Sequence, residues 1–148
     1  MPEKISCKSH DDTFAIGEQL GRELQAGDVV LLRGELGAGK TVLTKGILSA
    51  LEFDPADVTS PSFALVNLYP TSKFDVYHID LWRVNEGSDA AFEVGLDDIV
   101  AEENSVVIIE WAERLGDHRF GGRVVDVSVE IRDDDSRAIW IVQNEALP

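Results

Sequence analysis

The segment Gly34-Glu35-Leu36-Gly37-Ala38-Gly39-Lys40-Thr41 carries the most specific chemistry in the chain. Glycines at this spacing let successive backbone N–H groups point into one concavity, and a lysine and a hydroxyl follow at once, which is the pattern of a phosphate-binding loop. Lys40 is placed to reach the outer phosphates of a nucleotide, the Thr41 hydroxyl completes the coordination of magnesium, and the helix that starts here adds positive potential. Glu35, Leu36, Gly37, Ala38 and Gly39, continuing through Lys40, Thr41 and Val42, are therefore the expected nucleotide-binding segment. A triphosphate with its metal asks for a further carboxylate at the end of a nearby strand. Asp80 closes the run from Phe74 to Ile79, and Glu110 closes the run from Val106 to Ile109. Both are candidates, and residue type alone does not divide metal binding from water activation between them.

Around these lie residues with weaker claims. In the proline-bounded loop Thr59-Ser60-Pro61-Ser62, either Thr59 or Ser62 could sense a terminal phosphate, or the loop is simply a stiffened turn before a strand. His78 shares a strand face with Asp80, and its role is an ordinary polar contact or a proton transfer. Arg83 and Arg114 could reach a phosphate or a partner, with solvated ion pairs as the plainer reading. Trp82, Trp111 and Trp140 need no stacking role, since large aromatics commonly fill cores and edges. His10, His78 and His118 lack the spacing of a zinc motif, and the lone Cys7 excludes an intrachain disulfide or a CxxC site, which fits a reducing cytoplasm.

The elements that must position these residues follow from periodicity. Val29-Val30-Leu31-Leu32 and Val106-Val107-Ile108-Ile109 are continuous apolar runs too short for helices, as expected of strands covered on both faces. Between the first run and a helix carrying Val42, Leu43, Ile47, Leu48 and Leu51 sits the glycine loop, which is the context its function requires. An earlier helix is expected from Thr13 to Gln25, on a stripe of Phe14, Gly17, Leu20, Gly21 and Leu24 whose glycines mark close approach to the sheet. Residues 63–69 and 74–80 alternate around a turn at Pro70-Thr71-Ser72-Lys73, and residues 125–131 and 138–142 do so around Asp133-Asp134-Asp135-Ser136. Each pair reads as an antiparallel hairpin. Residues 86–103 read as a helix broken at Gly95, with Phe92, Leu96, Ile99 and Val100 on its apolar face. The whole is an α/β chain, a P-loop NTPase fold with a mixed central sheet, antiparallel hairpins and flanking helices. No repeat or linker divides residues 1–148, so one domain is expected.

Composition bounds the partners. With 148 residues, 44% of them apolar, the chain can fill a core, and its formal net charge is -15. Such an acid excess argues against holding nucleic acid through a broad basic surface and against attachment to an anionic membrane. The start of the chain has no apolar stretch of signal-peptide type, and no run approaches the length of a spanning helix.

Taken in order, the glycine loop, Thr59-Ser60-Pro61-Ser62-Phe63, His78-Ile79-Asp80-Leu81-Trp82-Arg83, the segment from Phe92 to Gly95, and Ile109-Glu110-Trp111-Ala112-Glu113-Arg114 strongly resemble the TsaE family. These are small bacterial P-loop ATPases, formerly called YjeE, required for threonylcarbamoyladenosine modification of tRNA. The likeness covers nearly the whole chain; Val42 stands where a second threonine is common and Trp82 where tyrosine is common. The resemblance implies that Lys40 and Thr41 bind ATP phosphate and magnesium, that Asp80 is a further magnesium-associated acid, and that Thr59 belongs to a switch-like loop. It implies that Glu110 orients or activates water beside the metal or has a structural role there, and that Trp111 shapes the nucleotide end of the site. It also implies a cytoplasmic protein working with TsaD and TsaB, with tRNA engaged mainly through that complex and ATP hydrolysis resetting it between rounds. A nucleotide-gated scaffold with little turnover and a small-molecule kinase are the alternatives. No NKxD guanine-reading motif and no LSGGQ-like segment is present.

Overall fold

The two continuous apolar runs become neighbouring central strands, because only a strand buried on both faces can hide every side chain of such a run. The computed structural model describes residues 3–34, 39–59, 66–82, 89, 90, 94–116 and 118–144. Its strands are β1 (Glu3–Cys7), β2 (Val29–Gly34), β3 (Val66–Pro70), β4 (Asp75–Asp80), β5 (Ser105–Glu110), β6 (Val124–Ile131) and β7 (Arg137–Asn144). They form one sheet in the order β1-β7-β6-β2-β5-β4-β3. The block β6-β2-β5-β4 is parallel, while β1 with β7, β7 with β6, and β3 with β4 are antiparallel. The sheet is thus mixed, with both expected hairpins present.

Alternation along the central strands splits the core in two. Val30, Leu32, Val76, Val106 and Ile108 face α1 (His10–Glu23) and α2 (Lys40–Ala50), where they meet Leu20, Leu43, Ile47 and Leu48. Val29, Leu31, Ile79, Val107 and Ile109 face the opposite way, onto Ala90, Ala112 and Leu96 of the short helix α3 (Leu96–Val100). Each such side chain taken fully out of water contributes about 1.5–3 kcal/mol, so both faces bind their covering segments firmly.

Three expectations change in detail. Helix α1 starts at His10, earlier than Thr13, because Ser9 caps it by accepting a hydrogen bond from the Asp12 N–H while Asp12 accepts one from Lys8 N–H. Asp11 and Asp12 then fall in the first turn, where the dipole favours them. The glycine stripe of α1 meets α2 rather than the sheet: a Cβ on Gly17 would lie 2.2 Å from the Leu43 carbonyl oxygen, and one on Gly21 would lie 2.5 Å from that of Ile47. Gly46 answers from α2, its Cβ position being 2.2 Å from the Phe14 carbonyl oxygen. Small residues here let two helix backbones touch, which locks the helix that begins with Lys40. Finally, the helical segment does break at Gly95, in the left-handed region at φ 68, but Val100 is 37% exposed and lies off the apolar face. Phe92 lies outside the described residues.

Candidate functional site

The phosphate segment springs from the C-terminal end of β2, and α2 opens directly on Lys40. Gly39, the residue before the helix, has φ 108, a left-handed backbone that glycine adopts without penalty. Glu35, Leu36, Gly37 and Ala38 lie outside the described residues, as do Ser60, Pro61, Ser62, Phe63 and Arg83. Lys40 is buried, 5% exposed, and its Nζ donates to the Gly34 carbonyl at 2.8 Å. Burial holds its pKa below the usual lysine range, and Glu110, then Glu113, then Asp80 pull it back in part. The result is a largely desolvated ammonium facing three carboxylates, a charge for which an anion has strong value.

Register brings the two acids together. Asp80 on β4 pairs with Glu110 on β5, and Glu110 pairs on its other side with Leu32 of β2. Neighbouring strands run about 4.8 Å apart and directly paired residues share a face, so both carboxylates stand at the same end of the parallel block as the phosphate segment. Asp80 is 9% and Glu110 3% exposed. Asp80 Oδ1 accepts from the Trp82 N–H at 2.9 Å, which anchors it to the chain leaving the strand. Glu110 Oε2 is 2.5 Å from His78 Nε2. Such hard oxygen donors suit magnesium, which takes one or two protein carboxylates and completes its shell from phosphates and water. Thr41, one residue into α2, is partly exposed.

Trp111 follows Glu110 in a left-handed conformation, φ 58 and ψ 43, which costs a non-glycine residue about 1–2 kcal/mol. From that turn its ring receives Lys40, whose Nζ lies 3.8 Å from the ring centroid, and it packs against Trp82 at 4.4 Å with 39° between planes. A cation–π contact that is partly desolvated contributes about 1–2 kcal/mol, enough to offset the turn. Residue type alone leaves the tryptophans to core and edge packing, while the resemblance puts Trp111 at the nucleotide end; its ring against Lys40 and Trp82 packed on it follow once β4 and β5 are paired, because both rings leave the ends of those adjacent strands.

Thr59 is exposed, and the Tyr69 side chain grips its backbone at both ends: its N–H donates to the Tyr69 hydroxyl at 3.1 Å and its carbonyl accepts from that hydroxyl at 2.9 Å. Val42 lines a cleft of about 290 Å³ with Gly39, Cys7, Ser9, His10, Thr13 and Arg137. Reasoning from sequence missed this cleft, since its walls come from both ends of the chain. Cys7 is 1% exposed and burial pushes its thiol up, so it behaves as the small apolar filler expected.

A glycine segment between a central parallel strand and a buried-lysine helix, with acids on the neighbouring strands, defines a P-loop nucleotide-binding protein. The model of the family described as threonylcarbamoyl adenosine biosynthesis protein TsaE matches residues 7–139, and the chain belongs to the TsaE family. Relatives named tRNA threonylcarbamoyladenosine biosynthesis protein TsaE include that of Mycobacterium tuberculosis, 38% identical over 88% of this chain and 81% of its own length. The protein of the same name from Aquifex aeolicus is 33% identical over 93% of this chain and 94% of its own. The crystal structure of Bacillus subtilis YdiB superposes with a TM-score of 0.76 at 26% identity, covering 99% of this chain and 87% of that one. The P-loop fold expected from the sequence is the fold found.

Proposed function

We propose that the chain binds ATP with magnesium and hydrolyses it, and that this cycle supports threonylcarbamoylation of adenosine 37 of tRNA in company with TsaB and TsaD in the cytoplasm. Its place in the TsaE family supports the pathway. The observation that carries the enzymatic reading is the buried Lys40 ammonium set among Asp80 and Glu110 at the ends of adjoining parallel strands.

In this reading the backbone of residues 35–39 cradles the phosphates and Lys40 leaves the Gly34 carbonyl and the Trp111 ring to reach the outer ones. Thr41 and Asp80 hold the metal, whose charge would neutralise the phosphate oxygens as the terminal group departs. Glu110 would orient the attacking water or join Thr41 and Asp80 in holding the metal. Trp111 shapes the nucleotide end, and the cleft along Val42, Ser9, Thr13 and Arg137 has room for the adenosine. Thr59 opens a loop that responds to the terminal phosphate. The acid excess fits a subunit whose partners supply most of the contacts to tRNA.

The test compares nucleotide affinity and magnesium-dependent ATP turnover for wild type, Lys40→Ala and Glu110→Gln. Lys40→Ala should lose nucleotide affinity, whereas Glu110→Gln should keep it and hydrolyse about a hundredfold more slowly. Reconstitution with TsaB, TsaD and tRNA should show the first modification round without this chain and later rounds only with it. Unchanged turnover in Glu110→Gln, with modification still supported, would favour the nucleotide-gated scaffold; transfer of labelled γ-phosphate to a metabolite would favour a kinase.

A further inference from the structure

His78 is fully buried, 0% exposed, with its Nε2 against Glu110 Oε2 at 2.5 Å, while its Nδ1 has no hydrogen-bond partner among the described residues. A polar atom left unpaired in the interior is unfavourable, and an apolar side chain at this place in the core would avoid that cost. Stability therefore does not explain the imidazole. A carboxylate only accepts hydrogen bonds, so Nε2 carries the proton and donates to Glu110. That contact ties down one oxygen of a side chain with three rotatable bonds and leaves Oε1 outside it.

On its other side the ring is braced by Tyr69, with centroids 6.1 Å apart and planes at 37°. The Tyr69 hydroxyl is the group that grips the Thr59 backbone, and Asn67 Nδ2 donates both to it, at 3.1 Å, and to the Thr59 carbonyl, at 3.2 Å. Thr59, Tyr69, His78 and Glu110 thus form an unbroken run of contacts that ends at the acid closing β5. We propose that His78 is a positioning residue that fixes the rotamer of Glu110 for attack by water, with Tyr69 tying this pair to the Thr59 loop. The inference rests on the reading of Glu110 as the water-orienting acid.

Its test is ATP turnover by the full chain with its proposed partner subunits, for His78→Leu, His78→Gln and His78→Asn. Glutamine carries an amide at about the reach of Nε2, whereas asparagine keeps the polarity but stops near Nδ1. His78→Leu and His78→Asn should lower kcat about tenfold or more, as loss of a supporting hydrogen bond does elsewhere, with KM for ATP nearly unchanged. His78→Gln should recover most of the rate. In a Glu110→Gln background, His78→Leu should cause no further loss. The proposal is overturned if His78→Asn, whose volume and polarity favour folding, turns over like wild type or like His78→Gln. It is also overturned if His78→Leu slows turnover equally in both Glu110 backgrounds. If Glu110→Gln itself leaves turnover unchanged, the role given to Glu110 fails first and the positioning role falls with it.

Discussion

Replacing Gly46 by alanine should destabilise the protein although alanine is the better helix former. The gain in helix propensity is about 1 kcal/mol. Against it, the new Cβ would stand 2.2 Å from the Phe14 carbonyl oxygen, 3.0 Å from Glu18 N and 3.0 Å from the Gly17 Cα. All three are backbone atoms of α1, so no rotamer change relieves them. A carbon and a carbonyl oxygen settle at about 3.3 Å, so α1 and α2 must part by roughly 1 Å. Overpacking of this kind costs about 1–3 kcal/mol and occasionally more, and with backbone on both sides the upper end applies. The expected net loss is about 2 kcal/mol, or roughly 4–8 °C in Tm for a chain of this size. Because α2 begins with Lys40, ATP affinity should fall with it. Urea unfolding followed by far-UV circular dichroism measures the loss, with Gly121→Ala as the control, since nothing lies within 4 Å of a Cβ there. A Gly46→Ala midpoint at or above wild type would refute the helix contact as described.

Asp28 is 4% exposed and accepts hydrogen bonds from Gln25 N at 2.8 Å and from Arg123 Nε at 3.1 Å. Asp28→Asn should therefore cost about 2–3 kcal/mol in urea unfolding, less than a fully buried pair because the Arg123 side chain is 18% exposed; an unchanged midpoint would contradict it. Lys40 gives a prediction in pH. Burial lowers its pKa in the free protein, so its charge costs the folded state stability at pH values below the folded pKa, a cost relieved as pH rises from there toward the unfolded value. ATP phosphates favour the ammonium and raise the pKa again, so binding should take up protons in the alkaline window between the two values and none from this group below both. Calorimetry in buffers of different ionisation enthalpy should show that uptake in wild type and lose it in Lys40→Met; equal uptake in both would remove Lys40 as its source.

Much of this fold was legible because its signals are local. Val29 to Leu32 and Val106 to Ile109 could hide every side chain only as central strands, and they do. Alternation and turn residues gave both hairpins. The phosphate segment was legible because its parts are contiguous. What stayed hidden depends on pairing over distance. The glycines of α1 announce a close approach, expected to be with the sheet, whereas the partner is α2. His78 and Glu110 are 32 positions apart and meet only through the parallel register of β4 on β5. For Trp111 the residue type alone gives no contact, and only its left-handed turn sets the ring against Lys40.

The charge of the whole chain and the charge at the site lead to the same physical demand. At a formal -15, the protein offers a triphosphate no general attraction. Locally, among the described residues, the Lys40 ammonium stands in the field of Glu110, Glu113 and Asp80. Bare phosphates would meet repulsion at long range and again at contact. A divalent cation held by Thr41 and Asp80 would supply the positive charge that both the carboxylates and the phosphates call for. On the proposed reading, the acids that weaken the attraction for free nucleotide would favour nucleotide arriving with its metal, so affinity should fall when magnesium is withheld. The buried Lys40, held on the Gly34 carbonyl and the Trp111 ring, would on that reading exchange those weaker partners for the anion.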